Sequence, residues 1–157
     1  MEVRNKPHKG FTVVELMMVM VIIGVLASIS TPYFLEYLKN QRLNGATREL
    51  YSALMNARMQ SVSENRKIIV EMVSNHQYRF VRDVNGNEVI DAGEATGAST
   101  DIHPAYPDIT FSANFNPVFR PNGTGKNPVI TISSSSMTKK NCITISTAGR
   151  IKITPCS

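Results

Sequence analysis

One carboxylate, Glu15, stands directly ahead of twenty residues, 16–35, that carry no charge. As a helix those twenty residues rise about 30 Å, the thickness of a bilayer's hydrocarbon core. An acidic side chain at the mouth of such a segment is costly unless it is partnered, so Glu15 reads as functional. Two cysteines, Cys142 and Cys156, lie near the C-terminus. Two thiols beyond a membrane segment fit an oxidising compartment and one disulfide. The stretch Asp83–Glu94 has oxygen side chains at its first, third, fifth, ninth and twelfth positions: Asp83, Asn85, Asn87, Asp91 and Glu94. That spacing is close to a calcium loop, although its glycine stands fourth and Glu88 occupies the sixth place. It is also an Asn-Gly turn, a hairpin signal in its own right. His8, His76 and His103 are isolated from one another and from the cysteines. No nucleophile elbow, phosphate loop or zinc spacing is present, so the chain reads as a non-enzyme that needs no cofactor, with calcium the single candidate.

The net charge of +5 is unevenly spread along the 157 residues. Residues 1–10 carry Arg4, Lys6 and Lys9 against Glu2, and residues 111–157 carry six basic residues and no acid. The intervening hundred residues are net −3. The basic N-terminus orients the apolar span, holding its start in the cytoplasm and sending the remainder across the membrane. An acidic middle and a basic end point to a partner of that end. Lys139, Lys140, Arg150 and Lys152 are its candidate phosphate contacts, with no aromatic among them for base stacking.

After Pro32, apolar and small residues recur every three or four positions: Leu35, Leu38, Leu43, Ala46, Leu50, Ala53, Leu54, Ala57 and Ser61. The spacing predicts an amphipathic helix to about Glu64, with Asn65-Arg66 as its exit, packed under a sheet. Pro32 removes one helical hydrogen bond and favours a kink or local melting. Residues 67–73 and 77–84 read as a hairpin, 92–108 as a long loop, 109–111 and 118–120 as short strands, and 129–133 and 142–146 as strands around a Ser-rich tip. In the last hairpin, Thr147 opposite Ile151 sets Ile145 opposite Ile153 and Cys142 opposite Cys156. A three-residue loop, Ala148-Gly149-Arg150, closes it, and all four isoleucines (143, 145, 151 and 153) face the core. The fold class is α+β: a long N-terminal transmembrane and amphipathic helix on a C-terminal antiparallel β-sheet domain. The division is 1–10, 11–35, 36–65 and 66–157.

Gly10-Phe11-Thr12-Val13-Val14-Glu15 resembles the prepilin peptidase site of type IV pilins and type II secretion pseudopilins. The resemblance implies a leader cut between Gly10 and Phe11, methylation of the new Phe11 amine, and pairing of Glu15 with a neighbouring subunit's terminal amine. Pro32 also matches a recurrent position of that family, and the whole plan is the pilin lollipop. Within it, Ala46–Leu50, Leu54–Arg58, the Asp83–Glu94 loop and the terminal Ile-Ser-x-x-Gly-Arg segment resemble the GspH/FimT minor pilins and pseudopilins. Membership implies a bacterial inner-membrane protein with a single span and a periplasmic C-terminal domain, incorporated into a pilus or pseudopilus. Its implied partners are other pilins and prepilin peptidase, and its implied role is to initiate or cap a filament. Gly149-Arg150-Ile151-Lys152 resembles the Gly-Arg-x-Arg tail by which some FimT-like pilins bind DNA, with Lys152 in place of the second Arg. A pilus-tip DNA receptor is therefore an alternative. So is a soluble domain released after Ser30, because Ser28-Ile29-Ser30 is a passable signal-peptidase site.

Overall fold

The computed structural model describes residues 10–94 and 97–156. Arg4, Lys6, His8 and Lys9, of the expected leader, lie outside them. Two units are present, one up to Leu38 and the other Lys39–Ser157.

Helix α1 runs unbroken from Val13 to Ser63. Pro32 sits inside it without melting it. Just ahead of the proline, the hydroxyls of Ser28, Ser30 and Thr31 donate to the carbonyls of Val25, Leu26 and Ala27, so local side-chain bonding accompanies the break in the ladder. The apolar side chains from Phe11 to Leu38 are all exposed. Burial begins at Leu43 and follows the predicted stripe through Ala46, Leu50, Ala53, Leu54 and Ala57 to Ser61. The exit is a Schellman turn: Asn65 takes φ 50°, its N–H donates to the Val62 carbonyl, and the Arg66 N–H reaches back to Ser61. Asn tolerates that left-handed conformation better than most residues.

Among the described residues eight strands follow: β1 (Lys67–Met72), β2 (Gln77–Asp83), β3 (Thr100–Asp101), β4 (Ile109–Ala113), β5 (Val118–Phe119), β6 (Val129–Ser134), β7 (Lys140–Ile145) and β8 (Ile151–Pro155). They form two antiparallel sheets, ordered β3-β2-β1-β5 and β4-β6-β7-β8. The main core joins the helix stripe to Ile68 and Val70 of β1, Phe111 of β4, Ile130 and Ile132 of β6, and Ile143 and Ile145 of β7. On the other face of β1, Ile69 joins Val81 and Val118 in a second small cluster, covered by Ile90 from the 83–94 loop. That loop is thus a lid over the sheet, which an alternating strand pattern alone does not reveal.

Two expectations change. The stretch 92–108 is not wholly irregular: it supplies β3 and the buried Ile102. Nor are the last two histidines isolated. The His76 and His103 rings lie 5.2 Å apart, and His76 Nδ1 is 3.0 Å from Asp101 Oδ1. Asp101 also accepts from Gln77 Nε2 and the His103 N–H. Those bonds, that from Gln77 foremost, hold its carboxyl at about 2. The cluster fastens β3 to the β1–β2 turn.

Candidate functional site

The start of α1 is built by Thr12 and Glu15. Thr12 is the N-cap: its Oγ1 accepts from the Glu15 N–H at 3.2 Å, and its carbonyl receives the Leu16 N–H. Thr-x-x-Glu is capping-box spacing, a sequence signal that the pilin-like motif overshadows. Gly10 and Phe11 precede the cap, and Phe11 is 79% exposed. Glu15 is exposed too. Its carboxylate therefore projects from the first turn, where the helix dipole favours negative charge and where a cationic amine could reach it.

The five calcium candidates gather within the loop but serve the loop itself. Asp83, 3% exposed, accepts from the Gly86 N–H at 2.6 Å and the Glu88 N–H at 2.9 Å. Glu94 accepts from the Val84 and Asp91 N–H groups. Asp91 Oδ2 receives the side-chain amides of Asn85 and Asn87, each at 2.7 Å, which hold its carboxyl below its ordinary range. Those asparagine oxygens in turn accept from the Asn87 and Val89 N–H groups. Among the described residues no group of three His, Cys, Asp or Glu side chains gathers as a metal site. The loop's oxygen side chains accept its own N–H groups, as in a self-capped turn.

Glu88, at the place a calcium loop gives to glycine, is the residue sequence reasoning missed. It adopts φ 63°. Its carboxylate is 2.7 Å from Arg120 Nε, 3.2 Å from Lys67 Nζ and 3.7 Å from Lys126 Nζ. Arg120 first, then Lys67, hold it at about 2, against an ordinary 4.5. One carboxylate thereby ties the lid loop to β1 and to the residues that follow β5.

The final hairpin differs from expectation by two residues of register. Ile145 pairs with Ile151, Ile143 with Ile153 and Cys142 with Thr154. A shift of two preserves every face. The closing loop is five residues, with the Gly149 N–H and the Arg150 carbonyl both bonded to Ser146. Cys156 lies two positions past Cys142's partner, and the disulfide forms diagonally with Cα atoms 5.1 Å apart. Ile153 departs from the core expectation at 40% exposed, because β8 is the edge of its sheet among the described strands. Gly149, φ 72°, rests against the Gly123 carbonyl, to which Arg58 Nε donates at 3.1 Å.

The four basic candidates do not form one patch. Lys139 and Lys140 sit at the start of β7, whereas Arg150 and Lys152 sit at its far end across the hairpin. Four residues of strand, about 14 Å, separate Lys140 from the level of Lys152. Both point to the outer face, and all four are exposed.

The family described as Type II transport protein GspH matches residues 46–149, and the Prokaryotic N-terminal methylation motif matches residues 5–31. A fimbrial protein of Pseudomonas aeruginosa is 39% identical over 64 residues, and the chain spans only 41% of that relative. The pilin-like protein PilA1 of Thermus thermophilus is 25% identical over 93% of this chain and 98% of its own. In fold, the chain is similar to the type IV minor pilin FimU of P. aeruginosa (TM-score 0.58, 22% identity, 76% of this chain and 92% of that one). It is also similar to the minor pseudopilin EpsH of the Vibrio cholerae type 2 secretion system (TM-score 0.55, 9% identity, 73% and 97%). The GspH match runs over the buried second half of α1 and both sheets as far as the last turn, and the chain belongs to the GspH family of type II transport proteins.

Proposed function

We propose that the chain is a minor subunit of a type IV pilus or type II secretion pseudopilus, a structural part that helps to initiate or cap the filament. The leader, 1–10, is removed between Gly10 and Phe11 by prepilin peptidase, and the Phe11 amine is methylated. Residues 11–35 hold the subunit in the inner membrane and then in the filament, 36–65 continue the helix, and 66–157 form the periplasmic domain. The observation that carries this reading is Glu15: an exposed carboxylate in the first turn of a helix whose next five turns present only uncharged side chains. In an apolar filament core, that carboxylate and a neighbour's terminal amine each cost energy alone and offset one another as a pair. A mis-registered subunit leaves both unpaired, so the pair sets register. Glu15→Ala should leave membrane levels unchanged and remove the protein from sheared filaments. Incorporation at the wild-type level would defeat the charge-pair role.

A second reading, DNA binding, rests on two separate basic spots, Lys139 with Lys140 and Arg150 with Lys152. All are exposed, and β6, β7 and β8 carry no acid. Three or four phosphate contacts give a salt slope of about −3 to −4. Gel shifts from 50 to 200 mM salt with wild type and an Arg150→Gln, Lys152→Gln double variant test it, and equal shifts for the two proteins would reject it.

A further inference from the structure

The two outer edges of the second sheet are treated differently. On β4 the outward groups are closed off: the Phe111 N–H donates to the Asn75 carbonyl at 2.7 Å, and the Ile109 N–H to the Tyr106 carbonyl at 3.1 Å. On β8 they are open. The Ser146 N–H bonds the Arg150 carbonyl and the Cys156 N–H bonds the Lys140 carbonyl, which fixes the phase of the β7–β8 ladder. Lys152 and Thr154 therefore spend their backbone groups on β7, while Ile151 and Ile153 turn theirs outward. Among the described residues no hydrogen bond ends on those outward groups. Ile153, on the core-facing side yet uncovered, lines a cleft of about 290 Å³ with Asn44, Thr47, Arg48 and Asn141. The disulfide at Cys142–Cys156 fastens the far end of the strand, so the edge is held in extended form.

We propose that the open edge of β8 is a docking site for an extended acidic segment of another polypeptide, which adds to the sheet as a fifth strand. Backbone pairing with Ile151 and Ile153 supplies affinity, and alternate side chains supply specificity. An apolar side chain of the added strand lies beside Ile153 over the cleft. An acidic one lies on the opposite face beside Lys152, with Arg150 at the margin. Charge complementarity selects the acid, since β6, β7 and β8 contain no Asp or Glu. Pro155 has no N–H and limits the pairing to the Ile151–Ile153 stretch.

The test uses the full chain in detergent micelles and the peptide acetyl-Glu-Val-Glu-Val-Glu-Val-amide, followed by fluorescence anisotropy of a labelled copy. The valines are the residues that fall opposite Ile151 and Ile153. A peptide with N-methylated valines keeps the charge and loses the donors, and it should bind about tenfold or more weakly. Lys152→Glu should weaken the parent peptide similarly, and Ile153→Pro, which deletes an outward donor without touching the β7 ladder, should abolish binding. Ile153→Val should bind as the wild type does. The proposal is overturned if the parent peptide does not bind, if the methylated peptide binds equally, or if Ile153→Val loses as much as Ile153→Pro. Displacement of the peptide by a duplex oligonucleotide that binds wild type and Ile153→Pro alike would overturn it as well, in favour of a phosphate site.

Discussion

Glu88→Gln isolates the electrostatic fastening of the lid loop. The glutamine keeps an acceptor for Arg120 Nε but removes the charge that Lys67, Arg120 and Lys126 share. The wild-type carboxyl lies at about 2 against an ordinary 4.5. A depression of that size corresponds to a ceiling of about 3.4 kcal/mol. The side chain is 17% exposed and its cations 26–42% exposed, so solvent screening trims the expected loss to about 2 kcal/mol at pH 7. Because the folded-state value is depressed, the contribution is fully present above the ordinary value near 4.5. It disappears as the pH falls through about 2. Urea unfolding of residues 39–157 by wild type and variant at pH 7, 5, 3 and 2 reads this directly. The gap should be constant from pH 7 to 5 and close by pH 2, and it should narrow in 0.5 M salt. Equal midpoints at pH 7, or a gap that persists unchanged at pH 2, would refute the account of Glu88.

Three further outcomes are expected. Cys142→Ser should lower the stability of the β domain by about 2–4 kcal/mol, seen as a fall in the urea midpoint that reductant reproduces in wild type; two titratable thiols in the native protein would contradict the bridge. Gly149→Ala should destabilise by about 2 kcal/mol or more, because the methyl group meets the Gly123 carbonyl at a positive φ. An unchanged melting temperature would mean that the turn yields. Millimolar calcium should leave the melting temperature within about 1 °C, since the oxygens of Asp83 and Glu94 already accept N–H groups; a rise of several degrees would show the loop reopening around the ion.

The residues differ in how plainly they announce their roles. The helix stripe from Leu43 to Ser61 and its exit at Asn65-Arg66 were legible because a 3.6-residue period and a left-handed asparagine are local signals. The faces of the last hairpin were legible for the same reason, as alternation at Ile143, Ile145 and Ile151 survives a two-residue slip. The register itself was not, because it depends on how the loop closes against Gly123, a contact from another part of the chain. Glu88 was hidden by its neighbours: three cations from positions 67, 120 and 126 converge on it only through folding. His76, Asp101 and His103 met for a similar reason, through a two-residue strand too short to carry a pattern. Acidic and amide spacing in 83–94 pointed to a cation. Asparagine and aspartate caps satisfy the same geometry with backbone N–H groups, as Asp83, Asn85 and Asn87 do here.

The proposed processing makes Phe11, methylated on its amine, the first residue of a pilin-type subunit. Intact-mass and N-terminal peptide spectrometry of the membrane-extracted protein measures this directly. The expected result is a first residue of Phe11 carrying one methyl group on its amine, with the whole apolar span retained. A mature protein that begins at Thr31 would contradict it, because Glu15 and the apolar span would then be lost before any filament could form.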